Sequence, residues 1–163
     1  MCTIAFARRL RPLAAALTAA ALTTALLAQP AAATTPTSGS GAFTVTFAPT
    51  ETRTADGNTI TEFAITGTLT GTLTGTFTGT ERIVVHPDTT ANASGVITCV
   101  CTVEGMTGTV EFVFNGTSAG TGLPIVGQFT SQNGTLGLSS LHAQGTFSAL
   151  GTAGTYTVDY HFE

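Results

Sequence analysis

The 163-residue chain contains no lysine and no tryptophan, and only two of its five arginines, Arg53 and Arg82, lie beyond residue 33. All nine carboxylates stand against them, so residues 34–163 carry a formal charge of −7 with histidines neutral. Nucleic acids and anionic membrane surfaces are recognised by clustered cationic side chains, and that shortage argues against both as partners. Catalytic signatures are missing too: there is no nucleophile elbow, no phosphate-binding loop, no HExxH and no paired zinc-ligand motif. Ser139 and Ser140 lie too close to His142 in sequence to be more than loop polarity. Nothing in the spacing of His86, His142 and His161 brings three histidines together, so neither a metal nor a cofactor is expected. Beyond residue 33 no segment has helical patterning.

The first 33 residues read as an address rather than as structure. Arg8, Arg9 and Arg11 form a basic region, Leu13 to Ala28 an apolar one, and Ala31-Ala32-Ala33 a small-residue cleavage site before Thr34. The apolar run is short for a membrane span and ends in a processing signal, so the expectation is secretion with no membrane anchor. No cysteine follows it, which removes lipoprotein anchoring, and the residues around Arg8-Arg9 fit a twin-arginine signal poorly. Residues 34–41, TTPTSGSG, read as a flexible leader. Residues 42–163 are the right length for a single domain.

What the chain has in abundance is threonine and glycine. Thr66 to Thr80 reads TGTLTGTLTGTFTGT, with threonine at every even position and glycine alternating with Leu69, Leu73 and Phe77 on the odd ones. A period of two sends the threonines to one face of a strand and the other set to the opposite face. A single strand of this length would run about 50 Å, so the chain must turn inside the repeat. A loop of even length would place threonine opposite leucine, whereas an odd loop preserves the faces. A three-residue loop over Thr70–Thr72, with Gly71 at positive φ, predicts Leu69 opposite Leu73, Gly67 opposite Gly75 and Ile65 opposite Phe77.

Similar alternation between turn signals predicts strands near 43–48, 59–70, 73–86, 96–104, 108–115, 124–131, 141–149 and 155–162. Eight hairpin-connected strands in one domain indicate an all-β fold, a closed up-and-down antiparallel barrel without exposed edges. The alternative is a two-sheet β-sandwich.

Phase also assigns the interior. Phe77, Phe112, Phe129, Tyr156 and Tyr160 point inward and are the candidate ligand-binding residues, with the 132–140 loop expected to close the cavity. Buried tyrosine hydroxyls need partners, which either a ligand or the backbone supplies. Glu81 continues the inward phase of Leu73 and Phe77, placing a carboxylate in an apolar barrel, where its pKa rises and it becomes the candidate catalytic acid or base. The competing reading is a phase shift at a bulge after Gly79, or a barrel-end charge beside Arg82. His86 reads as a turn cap, and His142 and His161 as outward. Cys99 and Cys101 are two residues apart in one strand. An oxidising compartment favours a disulfide, which here demands a bulged backbone; two free buried thiols, or metal or redox chemistry, remain the other readings.

Four segments, GTERIVVHPD (79–88), CTVEGMTGTVEFVFNGT (101–117), GTLGLSSLHAQGTF (134–147) and GTYTVDYHF (154–162), resemble a family of secreted, mostly actinobacterial proteins with an allene oxide cyclase-like barrel. The resemblance implies the barrel fold and a membership that includes cyclases, ligand binders and proteins of unknown function. Leu136, Ser139, Ser140 and Ala143 depart from it, standing where glycine or smaller residues are usual. Three functions follow as expectations. They are binding of a small apolar molecule in the barrel, a cyclase or isomerase using Glu81, and a non-catalytic surface role for the threonine face. An ice-binding form of the last requires a flat array, which twisted barrel strands disfavour. The sequence carries no signal for oligomeric state.

Overall fold

The structure is a computed structural model and describes residues 35–163; the expected signal peptide lies outside the described residues. Eight strands follow one another: β1 (Thr37–Ala55), β2 (Asn58–Gly71), β3 (Thr74–Val85), β4 (Ala91–Val103), β5 (Met106–Ser118), β6 (Ile125–Gln132), β7 (Leu141–Leu150) and β8 (Ala153–Phe162). Each pairs with the next, and β8 pairs antiparallel with β1, so the sheet closes into a barrel and the sandwich is set aside. Asp56-Gly57 and Glu104-Gly105 make tight two-residue turns with φ of 52°, 78°, 51° and 81°. Positive φ at both positions matches the right-handed twist of the strands they join.

Closure enlists residues expected to be loose. Thr37 to Gly41 pair with Tyr160 to Tyr156, so most of the supposed leader is strand and the barrel begins at Thr37. Without it β8 would present unpaired N–H and C=O groups along its edge. β1 also runs on past Pro49, through a register shift between Pro49 and Glu51. Proline has no N–H for the ladder, and a bulge accommodates that loss.

The repeat turns with odd parity and with Gly71 at φ 99°, but the hairpin is displaced from the expected register. Gly67 faces Phe77, Leu69 faces Gly75 and Ile65 faces Gly79. Large residues are opposite glycine, rather than leucine opposite leucine. The reason is spatial: the Phe77 ring lies where a Cβ on Gly67 would be.

The same contact recurs around the barrel. Gly41 faces Tyr156 and Gly154 faces Phe43 across β1–β8, Gly95 faces Phe114 across β4–β5, and Gly127 faces Phe147 and Gly145 faces Phe129 across β6–β7. A Cβ would approach Phe114 Cζ to 2.6 Å at Gly95, Phe129 Cζ to 2.7 Å at Gly145 and Phe147 Cε1 to 2.7 Å at Gly127. Each ring is thus laid against the wall, over the glycine of the neighbouring strand, an arrangement known to pin strand register.

The interior is divided lengthwise. At the end holding the β2–β3 and β4–β5 turns, Leu73, Cys99, Val103, Val110, Leu138 and Val158 are fully buried and fill the lumen. Cys99 and Cys101 form a disulfide there with Cα atoms 5.4 Å apart. The expected bulge is absent: pairing runs regularly through Cys99, Val100 and Cys101 on both sides of β4. Cys101 lies between Gly75 and Gly108, which bring no side chains to crowd the bridge. So small a ring removes little entropy from the unfolded chain.

If ring-over-glycine packing governs the wall, Gly95→Ala should destabilise the barrel by about 1–3 kcal/mol, because the Phe114 ring or the neighbouring Thr80 carbonyl must move. Adding Phe114→Leu should recover part of that loss in a urea-denaturation double-mutant cycle. Strict additivity would show that the ring is not the constraint.

Candidate functional site

The opposite half of the barrel is hollow. A cavity of about 700 Å³ extends from a floor of Leu69, Leu73 and Tyr156 to a mouth formed by Gly122 and Leu123 of the β5–β6 loop, Leu150 at the end of β7 and Gly151 of the β7–β8 turn. Its walls carry Phe43, Phe47, Phe63, Phe77, Phe112, Phe114, Phe129 and Phe147, together with Val45, Ile65, Ile83, Ile97 and Ile125. The rings meet edge to face in two chains. Phe112, Phe129 and Tyr156 form one, with centroids 5.6 and 6.3 Å apart, and Phe114, Phe147 and Phe43 the other, at 6.0 and 6.5 Å. Such pairs hold one another in preferred geometry, so the wall is organised before anything enters.

Of the residues singled out from the sequence, Phe77, Phe112, Phe129, Tyr156 and Glu81 line this cavity. Tyr160 does not: its hydroxyl donates to Glu104 Oε1 at 2.8 Å at the filled end. The Tyr156 ring forms part of the floor, but its hydroxyl already has backbone partners. It accepts from the Leu73 N–H at 2.8 Å and lies 3.1 Å from the carbonyl oxygens of both Thr70 and Leu73. That bond pins the β2–β3 turn beneath the cavity.

The 132–140 loop is not the lid expected of it. Thr135 bonds back to β5 through its N–H to the Thr109 carbonyl at 2.8 Å, and a single 3-10 turn, Leu136–Leu138, drives Leu138 into the filled end against Gly108. The loop is a plug at the far end. Leu136, one of the departures noted above, sits exposed at φ 52°, a conformation in which glycine is at ease and leucine is strained.

Glu81 is the one carboxylate of the cavity lining. Pairing is continuous through it, with Phe63 on one side and Gly95 on the other, so no bulge turns it out, and Arg82 beside it faces solvent. It is 9% exposed. Burial, with no counter-charge or hydrogen bond to oppose it among the described residues, pushes its pKa from the ordinary 4.5 to about 7. Such a group gives or takes a proton near neutrality and is the single point at which a bound molecule would meet polarity.

His86 serves the turn, as expected. Its Nδ1 donates to Asn58 Oδ1 at 2.7 Å and its Nε2 accepts from Asn92 Nδ2 at 2.8 Å, tying the β3–β4 loop to the start of β2 and to β4. Sequence reasoning missed Leu123, a loop residue without strand periodicity, and Leu150, the outward-phase last residue of β7; they are 52% and 60% exposed at the mouth. The only available signal was the presence of large aliphatic residues beside turn glycines.

No protein-family profile matches the chain, and no curated protein matches it in sequence. Among solved structures, a protein of unknown function from the DUF3224 family of Shewanella oneidensis MR-1 is similar, with a TM-score of 0.68 and 18% identity. The match covers 78% of this chain and 98% of that one. At that identity the likeness concerns the fold alone, and none of these comparisons carries an allene oxide cyclase activity to the chain.

An acid whose folded pKa exceeds its unfolded one is more protonated in the native state between the two values. Glu81 should therefore make the barrel progressively less stable as pH rises from 4.5 to about 7. Over that window, the stability of the native sequence relative to Glu81→Gln should fall by about 3 kcal/mol, read from denaturant melts at successive pH values. A difference that does not change with pH would show that Glu81 is solvated.

Proposed function

We propose that this is a secreted barrel that takes up a small apolar molecule at its hollow end, with Glu81 as the contact for one polar group of that molecule. The observation that carries the reading is the cavity of about 700 Å³, walled by aromatic and aliphatic side chains around a single carboxyl. That volume and composition are those of sites that enclose a drug-sized ligand, where apolar contact supplies affinity and a lone polar group sets orientation. A protonated Glu81 donates to a carbonyl or ether oxygen, and an ionised one pairs with an amine.

Secretion rests on the basic, apolar and small-residue order of residues 1–33, and the disulfide between Cys99 and Cys101 supports it, since such bridges persist in oxidising compartments. Protein recovered from culture medium should begin at Thr34 and contain no free thiol by intact mass. Cytoplasmic retention with Cys99 and Cys101 both reactive would refute this part.

A second reading, a cyclase or isomerase, is favoured by one specific feature: a carboxyl with a pKa of about 7 inside an apolar cavity. That value suits proton transfer to or from a bound substrate at neutral pH. A purely structural role does not account for so large an opening, although the threonine exterior leaves the outer face available for contact.

The test begins with incubation in lipid and polyketide extracts followed by native mass spectrometry, which should recover a bound compound. Leu123→Glu/Leu150→Glu should melt like the native protein, because both side chains are exposed, yet capture far less of it. Failure of the native protein across all extract classes would sink the binding reading. With a captured compound in hand, Glu81→Gln separates the two activities. Capture kept and conversion lost indicates catalysis; no conversion by the native protein indicates binding alone.

A further inference from the structure

A cluster of polar side chains lies on the outer wall, away from the cavity, where β7 and β8 pair. His142 and His161 stand directly opposite each other in the ladder, and their rings stack with centroids 5.1 Å apart and planes 12° from parallel. Two residues beyond His161 on the same face comes Glu163. Its N–H donates to the Ser140 carbonyl at 3.2 Å, which holds the end of β8 against β7, and its Oε2 lies 3.4 Å from His142 Nε2. One donor atom from each of the three residues lies within 4.8 Å of the others.

We propose that His142, His161 and Glu163 form a divalent-cation site for a borderline metal of the zinc type. Two imidazole nitrogens and one carboxylate oxygen are the donors such ions select, whereas calcium and magnesium favour all-oxygen shells. The ladder fixes both histidine backbones, so modest side-chain rotation draws the donors onto one ion. Three protein ligands leave further coordination positions to water or an incoming group. Residues 34–163 carry a net charge of −7, which concentrates cations at the surface. His86 offers no equivalent, because both its ring nitrogens are engaged with asparagines.

The experiment is calorimetric titration of the untagged protein, without its signal segment, with zinc chloride and with magnesium chloride. Zinc should bind with one-to-one stoichiometry and raise the melting temperature, and magnesium should do neither. His142→Gln and His161→Gln, each outward-facing and expected to melt like the native protein without metal, should each abolish binding; Glu163→Gln should weaken it. Absence of zinc binding in the native protein, or binding that survives the double histidine variant, would overturn the site. An unchanged affinity in Glu163→Gln would overturn the three-ligand assignment.

Discussion

An aromatic ring laid over a glycine of the neighbouring strand is the contact on which the rest of this barrel depends. An eight-stranded barrel is narrow enough for side chains to fill, and this chain directs many phenylalanines inward. Projected toward the axis, those rings would occupy the lumen. Lying against Gly67, Gly95, Gly127, Gly145 and Gly154, they cover the wall instead. The same contact helps set register: across β1–β8 and β6–β7, sliding a strand by two residues brings ring against ring in one direction and glycine against glycine in the other. Glycine costs backbone entropy in a strand, and here the cost secures both pairing and space.

The division into a filled and a hollow end follows from where bulk is placed. Below the floor, the disulfide, Leu138, Val103, Val110 and Val158 leave no opening, and the Tyr156 hydroxyl fastens the β2–β3 turn to the interior. Above the floor, Glu81 sits where its ionised form is unfavourable. Under the proposed binding function that cost is retained because the carboxyl meets a ligand, and the densely buried lower half offsets it.

Much of this was legible in the sequence because period-two patterning is unambiguous over long strands. It gave the eight strands, the barrel, the inward direction of Glu81 and the odd parity of the repeat turn. It could not give register inside TGTLTGTLTGTFTGT, since several pairings preserve the faces and only ring-against-glycine packing distinguishes them. Thr37 to Gly41 read as leader because isolated composition does not reveal that β8 needs a partner. The 132–140 loop looked like a lid because strand phase does not show which end of the barrel is filled, and one of its two leucines, Leu138, belongs to the core. His142 and His161 are outward, as their phase indicates, yet their meeting requires the β7–β8 register, which spacing alone does not contain.

Strand pairing closes the ring, with β8 joined to β1 over Thr37–Thr44, so entry through the paired part of the wall would require breaking backbone hydrogen bonds, and the far end is plugged. Access is therefore at the mouth, where Leu123 and Leu150 stand exposed on a barrel whose outer face is otherwise rich in threonine. The β5–β6 lip is held by the Ser118 hydroxyl, which lies 3.0 Å from the Gly120 carbonyl and 3.1 Å from that of Leu123. One hydroxyl has one proton to share between those two carbonyls, and Gly122 at φ 75° lies between them. With one backbone bond besides, from the Leu123 N–H to the Gly120 carbonyl at 3.2 Å, the lip has fewer bonds than the wall, and under the proposed binding function it is the segment that would accommodate an entering molecule.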